Sequence, residues 1–495
     1  MPDTGSVAVD VDRHTSLAGE VLPRARLLIG DDWSEGRGGT YAHVNPTTGR
    51  EQAPVGLASA RDVDAAVAAA RAALPAWRGL RPDERRNALL RLAGLIRAQA
   101  ERIGNILTLE CAVPAATAAG LPRRGADYLE YYAGLADKIE GHVIPIFPEI
   151  AFDYTLPEPY GVVGLISTWN GGISSLARKA GAALAAGNTV VAKPMELAPF
   201  SSIVFGELAL EAGFPPGVVN IVPGDVRAGE ALVRHSGVDK LSFTGGIEAA
   251  RAILRAAADN ITPVVLELGG KSGNIVFQDA DLEAAGRFAG TICMSMAGQG
   301  CVFPTRLIVH ESVHNQIVET ALRTASSLPV GDPLDATTVV GPVISAAHRD
   351  RIVGMLDQAQ REQAGELRLG GHALDGEGFF LAPTIYDRVR SDASIAQQEV
   401  FGPVLSVLTF TDEDEAIALA NDTKYGLAGY VHTGDLRRAH RVAAALDAGY
   451  VSLNGFAALP ASAPFGGFAL SGYGKEGGRA GLEEFLRTKN VYLPL

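Results

Sequence analysis

A chain of 495 residues is longer than one hydrophobic core usually serves, so at least two domains are expected. Its 43 Lys and Arg face 56 Asp and Glu, and the resulting net charge of −13 gives no overall electrostatic basis for holding nucleic acid or an anionic membrane. The 3 cysteines, Cys111, Cys293 and Cys301, exclude a disulfide framework and an all-thiolate four-cysteine metal site.

The opening "MPDTGSVAVDVDRHTSLAGE" carries acidic residues early and lacks a basic flank followed by a long apolar stretch. It reads as a loose tail and a cytoplasmic start, and no apolar run reaches the roughly eighteen residues of a membrane span. Order is expected from "ARLLIGDDWSEGRGGTYAHVNPTTGR", where short apolar runs alternate with turn residues. Residues 60 to 138 repeat apolar positions at helical spacing, with Pro82 placed to open one helix. "HVIPIFPEIAFDYTLPEPYG" returns to strand-like alternation broken by prolines and predicts a hairpin, either at a sheet edge or projecting to pair subunits.

From residue 161 the texture changes. The runs "GVVGLIS", "NTVVAKP", "GVVNIVPG", "KLSFTGG" and "PVVLELGG" alternate with helical segments such as "SSLARKAGAALAAG". Buried runs separated by helices predict a parallel sheet covered on both faces, with ligands at its carboxyl edge. A second α/β region is expected from about 266 to 475, with "TRLIVHESV", "GYVHT" and "AGYVSLNG" as strands.

Several residues in these segments suit chemistry. Gly245 and Gly246 stand between a strand and a helix, where small residues admit a diphosphate to free N–H groups; an ordinary turn is the alternative, since G-x-G-x-x-G is absent. Lys193 and Glu196 close another run, where a lysine can meet ribose or phosphate oxygens and a carboxylate can accept from ribose hydroxyls. Glu267 lies inside the apolar run "VVLELGGKS", so it is either a proton-transfer group with an elevated pKa or a residue on a solvated strand face. Asn170 in "STWNGG" offers an amide N–H to a developing oxyanion, or is a turn residue. Cys301 in "GQGCVFPTR" is either a packed sulfur or a nucleophile on a turn. "HESVH" matches H-E-x-x-H from His310 to His314. A strand ending at His310 and a helix beginning after it would point the two imidazoles apart, and the histidines at 142, 235 and 348 lie on unrelated elements.

Taken in order, "TWN", "AKPME", "FTGG", "LELGGKS", "GQGC", "QEVFGPV", "NDTKYGLAGYV" and "PFGGFALSGYGKEGG" closely resemble the aldehyde dehydrogenase family over residues 25 to 495. The resemblance implies an α/β fold of three parts. An atypical Rossmann-like NAD-binding domain would span 1–136 and 157–265, an α/β catalytic domain 266–479, and a small bridging oligomerisation element 137–156 with 480–495. It implies a homotetramer or homodimer, an aldehyde substrate, hydride transfer to NAD and no metal. By the same resemblance Cys301 is the nucleophile, Glu267 the base of the hydrolytic, non-acylating reaction and Asn170 the oxyanion donor, with Lys179 supporting proton movement. Ser167, Trp169, Lys193, Glu196, Gly245, Gly246, Leu268, Glu399 and Phe401 would hold the cofactor, and Glu196 favours NAD over NADP.

The substrate entrance by resemblance comprises Gly171, Ser175, Arg178, Val302, Phe456, Leu459 and Phe465. Gly171 and Ser175 are small for such positions. Arg178 either grips a substrate carboxylate, as in semialdehyde-oxidising relatives, or pairs with another side chain. The apolar "FAALPAS" shows no second anionic anchor, so an aromatic or medium aliphatic aldehyde is expected, with a carboxylated semialdehyde as the alternative. A non-enzymatic relative is the remaining reading, which the retained Cys301, Glu267 and Asn170 oppose. Departures from the family pattern are Gly246 for serine, Ala250 for glycine, Ala469 for lysine, Lys475 for arginine, and Phe303–Pro304 directly after the nucleophile.

Overall fold

The computed structural model describes residues 6–455 and 459–495. Its first sheet has 8 strands in the order Gly472–Tyr473, Val264–Glu267, Lys240–Thr244, Val162–Ile166, Thr189–Lys193, Val219–Ile221, Leu27–Ile29 and Asp32–Ser34. The middle strands, from Val264–Glu267 to Val219–Ile221, run parallel, as the alternation of apolar runs with helices predicted. Every residue of Val162–Ile166 and Thr189–Lys193 is buried, which is why these strands read as unbroken apolar runs.

The edges correct the purely parallel expectation. Gly472–Tyr473 joins Val264–Glu267 antiparallel, and Leu27–Ile29 is antiparallel to both of its neighbours. These strands come from distant segments outside the crossover series and are too short to carry a readable period.

The helix Gly172–Ala186 crosses beneath this sheet. Alanine repeats fill it, so it is buried almost all round, and Gly187 ends it in a left-handed conformation. Trp77 anchors the outer helices against it: the ring stacks on Phe214 at 5.1 Å, and its Nε1–H donates to the Leu184 carbonyl at 3.2 Å. Asn188 follows, accepting from Gly161 N–H and donating to the carbonyls of Ala183 and Phe485.

The second sheet has 7 strands in the order Glu366–Leu369, Thr384–Asp387, Val404–Phe410, Arg306–His310, Gly273–Val276, Ala428–His432 and Tyr450–Leu453. All its pairings are parallel except that of the edge strand Glu366–Leu369. Residues 268–272 link the two sheets, leaving the first at Glu267 and entering the second at Gly273. The turn carrying Cys301 leads into Arg306–His310, beside that link. Arg306 ties the region together with three carbonyl contacts, to Lys271, Leu419 and Ala420.

A small sheet of Val143–Ile144, Ala151–Pro159 and Leu486–Pro494 stands apart from both. It realises the predicted hairpin and adds the chain's last strand, with Leu486 opposite Pro159 and Pro494 opposite Ala151. Val143, Phe147, Ile150, Phe152, Leu493 and Leu495 are all exposed around it. Among the described residues no helix is long and apolar enough to cross a membrane.

"HESVH" straddles an element boundary. His310 closes its strand and its Nε2 meets the Thr411 carbonyl at 3.1 Å. His314 opens the helix His314–Ser327 and its Nε2 meets Asp387 at 2.8 Å. The imidazoles serve separate partners, and among the described residues no group of three or more His, Cys, Asp or Glu is placed to hold a metal ion.

Trp77→Ala removes a fully buried stacked ring and is expected to cost about 3–5 kcal/mol of stability. A urea titration checks this, and a change below about 1 kcal/mol would contradict the anchoring role.

Candidate active site

The site forms where the carboxyl end of the first sheet meets the Cys301 turn. Phe303 N–H donates back to the Gly300 carbonyl at 3.1 Å, closing a turn with Cys301 and Val302 at its corners. Gly270 lies against it: a Cβ there would stand 2.6 Å from the Cys301 carbonyl oxygen. Cys301 is half-buried. Its thiol is pushed up to about 12 by burial and by the negative charge of Glu399, with Arg178 acting in the opposite direction. At rest it is therefore a thiol, and ionising it requires a cation or a proton acceptor brought to the site.

Asn170 and Gln299 brace the turn. Asn170 Nδ2 donates to the Gln299 carbonyl at 3.0 Å, two residues before Cys301. The Gln299 side chain accepts from Ile344 N–H and donates to the Met296 carbonyl. Gln299 was not singled out in the sequence, although it stands inside "GQGC". Cys111 supports the other side, its Sγ donating to the Trp169 carbonyl at 3.1 Å. Cys293 is buried behind, donating to Val404.

Glu267 closes its strand and is 3% exposed. Neither of its carboxylate oxygens has a hydrogen-bond partner among the described residues. Gly466 makes room for it, since a Cβ there would come 2.8 Å from Glu267 Oε1. Burial raises its pKa well above the usual carboxylate range, and the charge of Glu476 raises it further.

Glu476 is the acidic group that sequence reasoning passed over. It is buried at 3%, and its Oε1 takes a short hydrogen bond from Lys179, whose Nζ also donates to Ser242 Oγ at 2.8 Å. Arg178 Nε lies 2.5 Å from Glu476 Oε2. Burial works to raise the Glu476 pKa, but Arg178 and Lys179 outweigh it and hold the group ionised. Two adjacent cations of one helix thus converge on one carboxylate. The Arg178 guanidinium is further flanked by the rings of Tyr128 at 5.7 Å and Phe465 at 5.6 Å. Of the two readings that the sequence left open for Arg178, internal pairing is the one present.

The remaining entrance residues fall around this cluster. Gly171 precedes the helix of Arg178, and a Cβ there would strike Ser175 at 2.6 Å, so the two small residues fit one another. Ser175 Oγ is buried without a hydrogen-bond partner among the described residues. Val302 and Leu459 are half-buried, and Phe456 lies outside the described residues.

A groove of about 660 Å³ runs along the sheet edge, lined by Ser167, Trp169, Lys193, Glu196, Gly245 and Gly246 among others. Lys193 Nζ donates to the Asp225 carbonyl at 3.4 Å, and burial lowers its pKa. The helix Ile247–Ala257 starts at Gly246 with no side-chain cap, and a Cβ on Gly246 would meet nothing within 4 Å. A helix N-terminus facing open space, beside a buried lysine and a Thr244 hydroxyl with no hydrogen-bond partner among the described residues, fits a diphosphate with its ribose. Gly245 has a packing reason of its own, because a Cβ would stand 2.4 Å from the Phe243 ring.

Towards Cys301, Trp169 packs edge-on against Phe401 at 5.5 Å. Glu399 Oε1 accepts from Gly270 N–H at 3.2 Å, and burial pushes its pKa up to about 7. Leu268 is buried and its N–H donates to the Ser471 carbonyl.

The aldehyde dehydrogenase family model matches residues 33–491. The chain is similar to the crystal structure of a putative aldehyde dehydrogenase from Burkholderia cenocepacia, with 40% identity and a TM-score of 0.93 over 95% of this chain and 97% of that one. An aldehyde dehydrogenase from Bacillus cereus, solved as its NAD+ complex, is 35% identical with a TM-score of 0.94, covering 99% of this chain and 100% of its own. A Staphylococcus aureus betaine aldehyde dehydrogenase solved with NAD+ is 34% identical at a TM-score of 0.94, covering 97% of each chain. The chain belongs to the aldehyde dehydrogenase family, and its fold is that of the family's solved members.

Replacing Glu476 by Gln removes the anion that raises the Glu267 pKa and leaves Arg178 and Lys179 to act on Glu267 without it. The Glu267 pKa is therefore expected to fall. It can be followed as the infrared carboxyl band that Glu267→Gln deletes; a band titrating at unchanged or higher pH would contradict the coupling.

Proposed function

We propose that this protein is an NAD+-dependent aldehyde dehydrogenase that releases the free carboxylic acid, with an uncharged aromatic or medium aliphatic aldehyde as substrate. The observation that carries the hydrolytic reading is Glu267: a buried carboxyl with neither oxygen hydrogen-bonded among the described residues, close enough to act electrostatically on the Cys301 thiol. Once ionised, a carboxylate whose oxygens are left open is suited to take a proton from water, and its raised affinity for the proton makes it the stronger base.

Ser167, Trp169, Lys193, Glu196, Gly245 and Gly246 would hold the dinucleotide along the groove, with Leu268, Glu399 and Phe401 at the nicotinamide end. Bound there, NAD+ supplies the hydride acceptor that the chain's own side chains cannot supply. Cys301 gives its thiol proton to water and attacks the aldehyde carbonyl as thiolate, forming the C–S bond of a thiohemiacetal while the carbonyl π pair moves onto oxygen. The Asn170 amide and the Cys301 backbone N–H stabilise the oxyanion; Asn170 turns from the Gln299 carbonyl toward it. Once the adduct has been oxidised to a thioester, Glu267, ionised by loss of its own proton to solvent, takes a proton from water, hydroxide adds to the acyl carbon, and the C–S bond breaks to return the Cys301 thiolate. Lys179 and Glu476 provide a route for the proton that Glu267 must then lose. The balance is one aldehyde, one NAD+ and one water consumed for one carboxylate, one NADH and two protons.

The uncharged substrate is supported by Arg178. With Glu476 at 2.5 Å and aromatic rings beside it, its charge is matched inside the protein before any substrate arrives. The exposed apolar side chains around the small three-stranded sheet support self-association into a homodimer or homotetramer through that sheet.

Benzaldehyde or hexanal is expected to give NADH with kcat/KM at least about tenfold above succinic semialdehyde and above the same assay with NADP+. Cys301→Ala is expected to produce no NADH. Faster turnover of the semialdehyde would overturn the substrate reading, and equal use of NADP+ the cofactor reading. Arg178→Ala is expected to weaken all aldehydes alike, by about tenfold in kcat; a loss confined to acidic aldehydes would instead assign Arg178 to their carboxylate.

A further inference from the structure

Tyr430, a large polar side chain beside the Cys301 turn, is not used by the reaction above. It sits on the strand Ala428–His432, is fully buried, and its phenol donates to the Val302 carbonyl at 2.7 Å. Val302 is the corner residue directly after Cys301. The opposite side of the turn is held at the Gln299 carbonyl by Asn170. Cys301 is thus flanked by two carbonyls, each secured by a side chain from a different part of the fold.

The residues around this bond explain why the turn needs it. Pro304 has no N–H to contribute. The Phe303 ring folds back over Gly300, where a Cβ would stand 2.6 Å from it, so no larger residue fits before the nucleophile. Backbone bonds within the turn run from Phe303 N–H to Gly300 and from Thr305 N–H to Phe303; neither engages the Val302 carbonyl. The Phe288 ring lies 5.7 Å and the Tyr450 ring 6.3 Å from the Tyr430 ring. The phenol also lies within electrostatic range of Cys301.

We infer that Tyr430 is a positioning residue for Cys301: its hydroxyl pins the Val302 carbonyl, and this holds the Cys301 Sγ and backbone N–H in the orientation that attack and oxyanion binding require. The unusual Phe303–Pro304 pair and Tyr430 form one device, in which a turn poor in its own hydrogen bonds is secured from the neighbouring strand. The inference rests on the proposed role of Cys301 as nucleophile.

The test compares wild type, Tyr430→Phe, Phe288→Leu and Cys301→Ala. The pre-steady-state burst of NADH is measured with a good aldehyde. In the cofactor-free proteins, the rate of iodoacetamide alkylation of the Cys301 peptide is measured against pH. A wild-type burst absent in Cys301→Ala tests the reading on which the inference depends, separately from Tyr430. Tyr430→Phe keeps the ring and loses the bond. Its burst rate is expected to fall about tenfold with aldehyde KM within about twofold. Its alkylation midpoint is expected to move to lower pH, because a released turn lets water reach a thiol now held up by burial and by Glu399 and Glu267 against the opposing charge of Arg178. Phe288→Leu loosens the packing and leaves the bond, so it is expected to lower the melting temperature with burst and midpoint near wild type. A wild-type burst rate or an unmoved midpoint in Tyr430→Phe would overturn the inference. So would an equal loss of burst in Phe288→Leu, which would make the effect one of packing.

Discussion

Two buried carboxylates lie next to two cations, and both cations go to the same one. Glu476 takes the charge of Arg178 and the hydrogen bond of Lys179, while neither oxygen of Glu267 has a hydrogen-bond partner among the described residues. Separation of this kind sets apart the protonation states of otherwise similar groups. The paired carboxylate stays ionised, and the unpaired one keeps its proton far above the usual range. The price is a buried ionic cluster that the surrounding helices must hold closed. The alanine-rich helix Gly172–Ala186 does this by presenting Arg178 and Lys179 together from a rigid, wholly packed support.

The two sheets supply the geometry around that cluster. Glu267 ends the first sheet, and the link 268–272 passes directly under the Cys301 turn on its way into the second. Glycine at 270 and 466 is required by close approach: one admits the Cys301 carbonyl, the other the Glu267 carboxyl. Burial raises the pKa of both the thiol and the carboxyl in this setting. A thiol near 12 is a poor nucleophile and is protected from adventitious reaction until ligands change its surroundings.

Much of this was legible in the sequence because it is local. Parallel strands buried on both faces leave continuous apolar runs, and the residues at their ends (Asn170, Lys193, Gly245, Glu267) are marked by the change from apolar to glycine-rich text. Cys301 was marked by the glycine that its tight turn requires. Glu476 was not, because nothing in "YGKEGG" announces that Arg178 and Lys179 lie opposite it. Tyr430 reads as one more apolar residue of its strand, and only the fold reveals its hydroxyl beneath Val302. The antiparallel strand Gly472–Tyr473 is too short to carry any period. Arg178 shows the limit from the other side: its charge was plain in the sequence, but whether it faces a substrate or an internal carboxylate depends on contacts across the fold.

In the proposed reaction Cys301 forms an acyl thioester that Glu267 is needed to hydrolyse. Mixing Glu267→Gln with NAD+ and a good aldehyde, then weighing the protein and its Cys301 peptide, tests this most directly. The account predicts one NADH per active site followed by near arrest, with the acyl group retained on Cys301. Sustained turnover with no acyl group on Cys301 would contradict it.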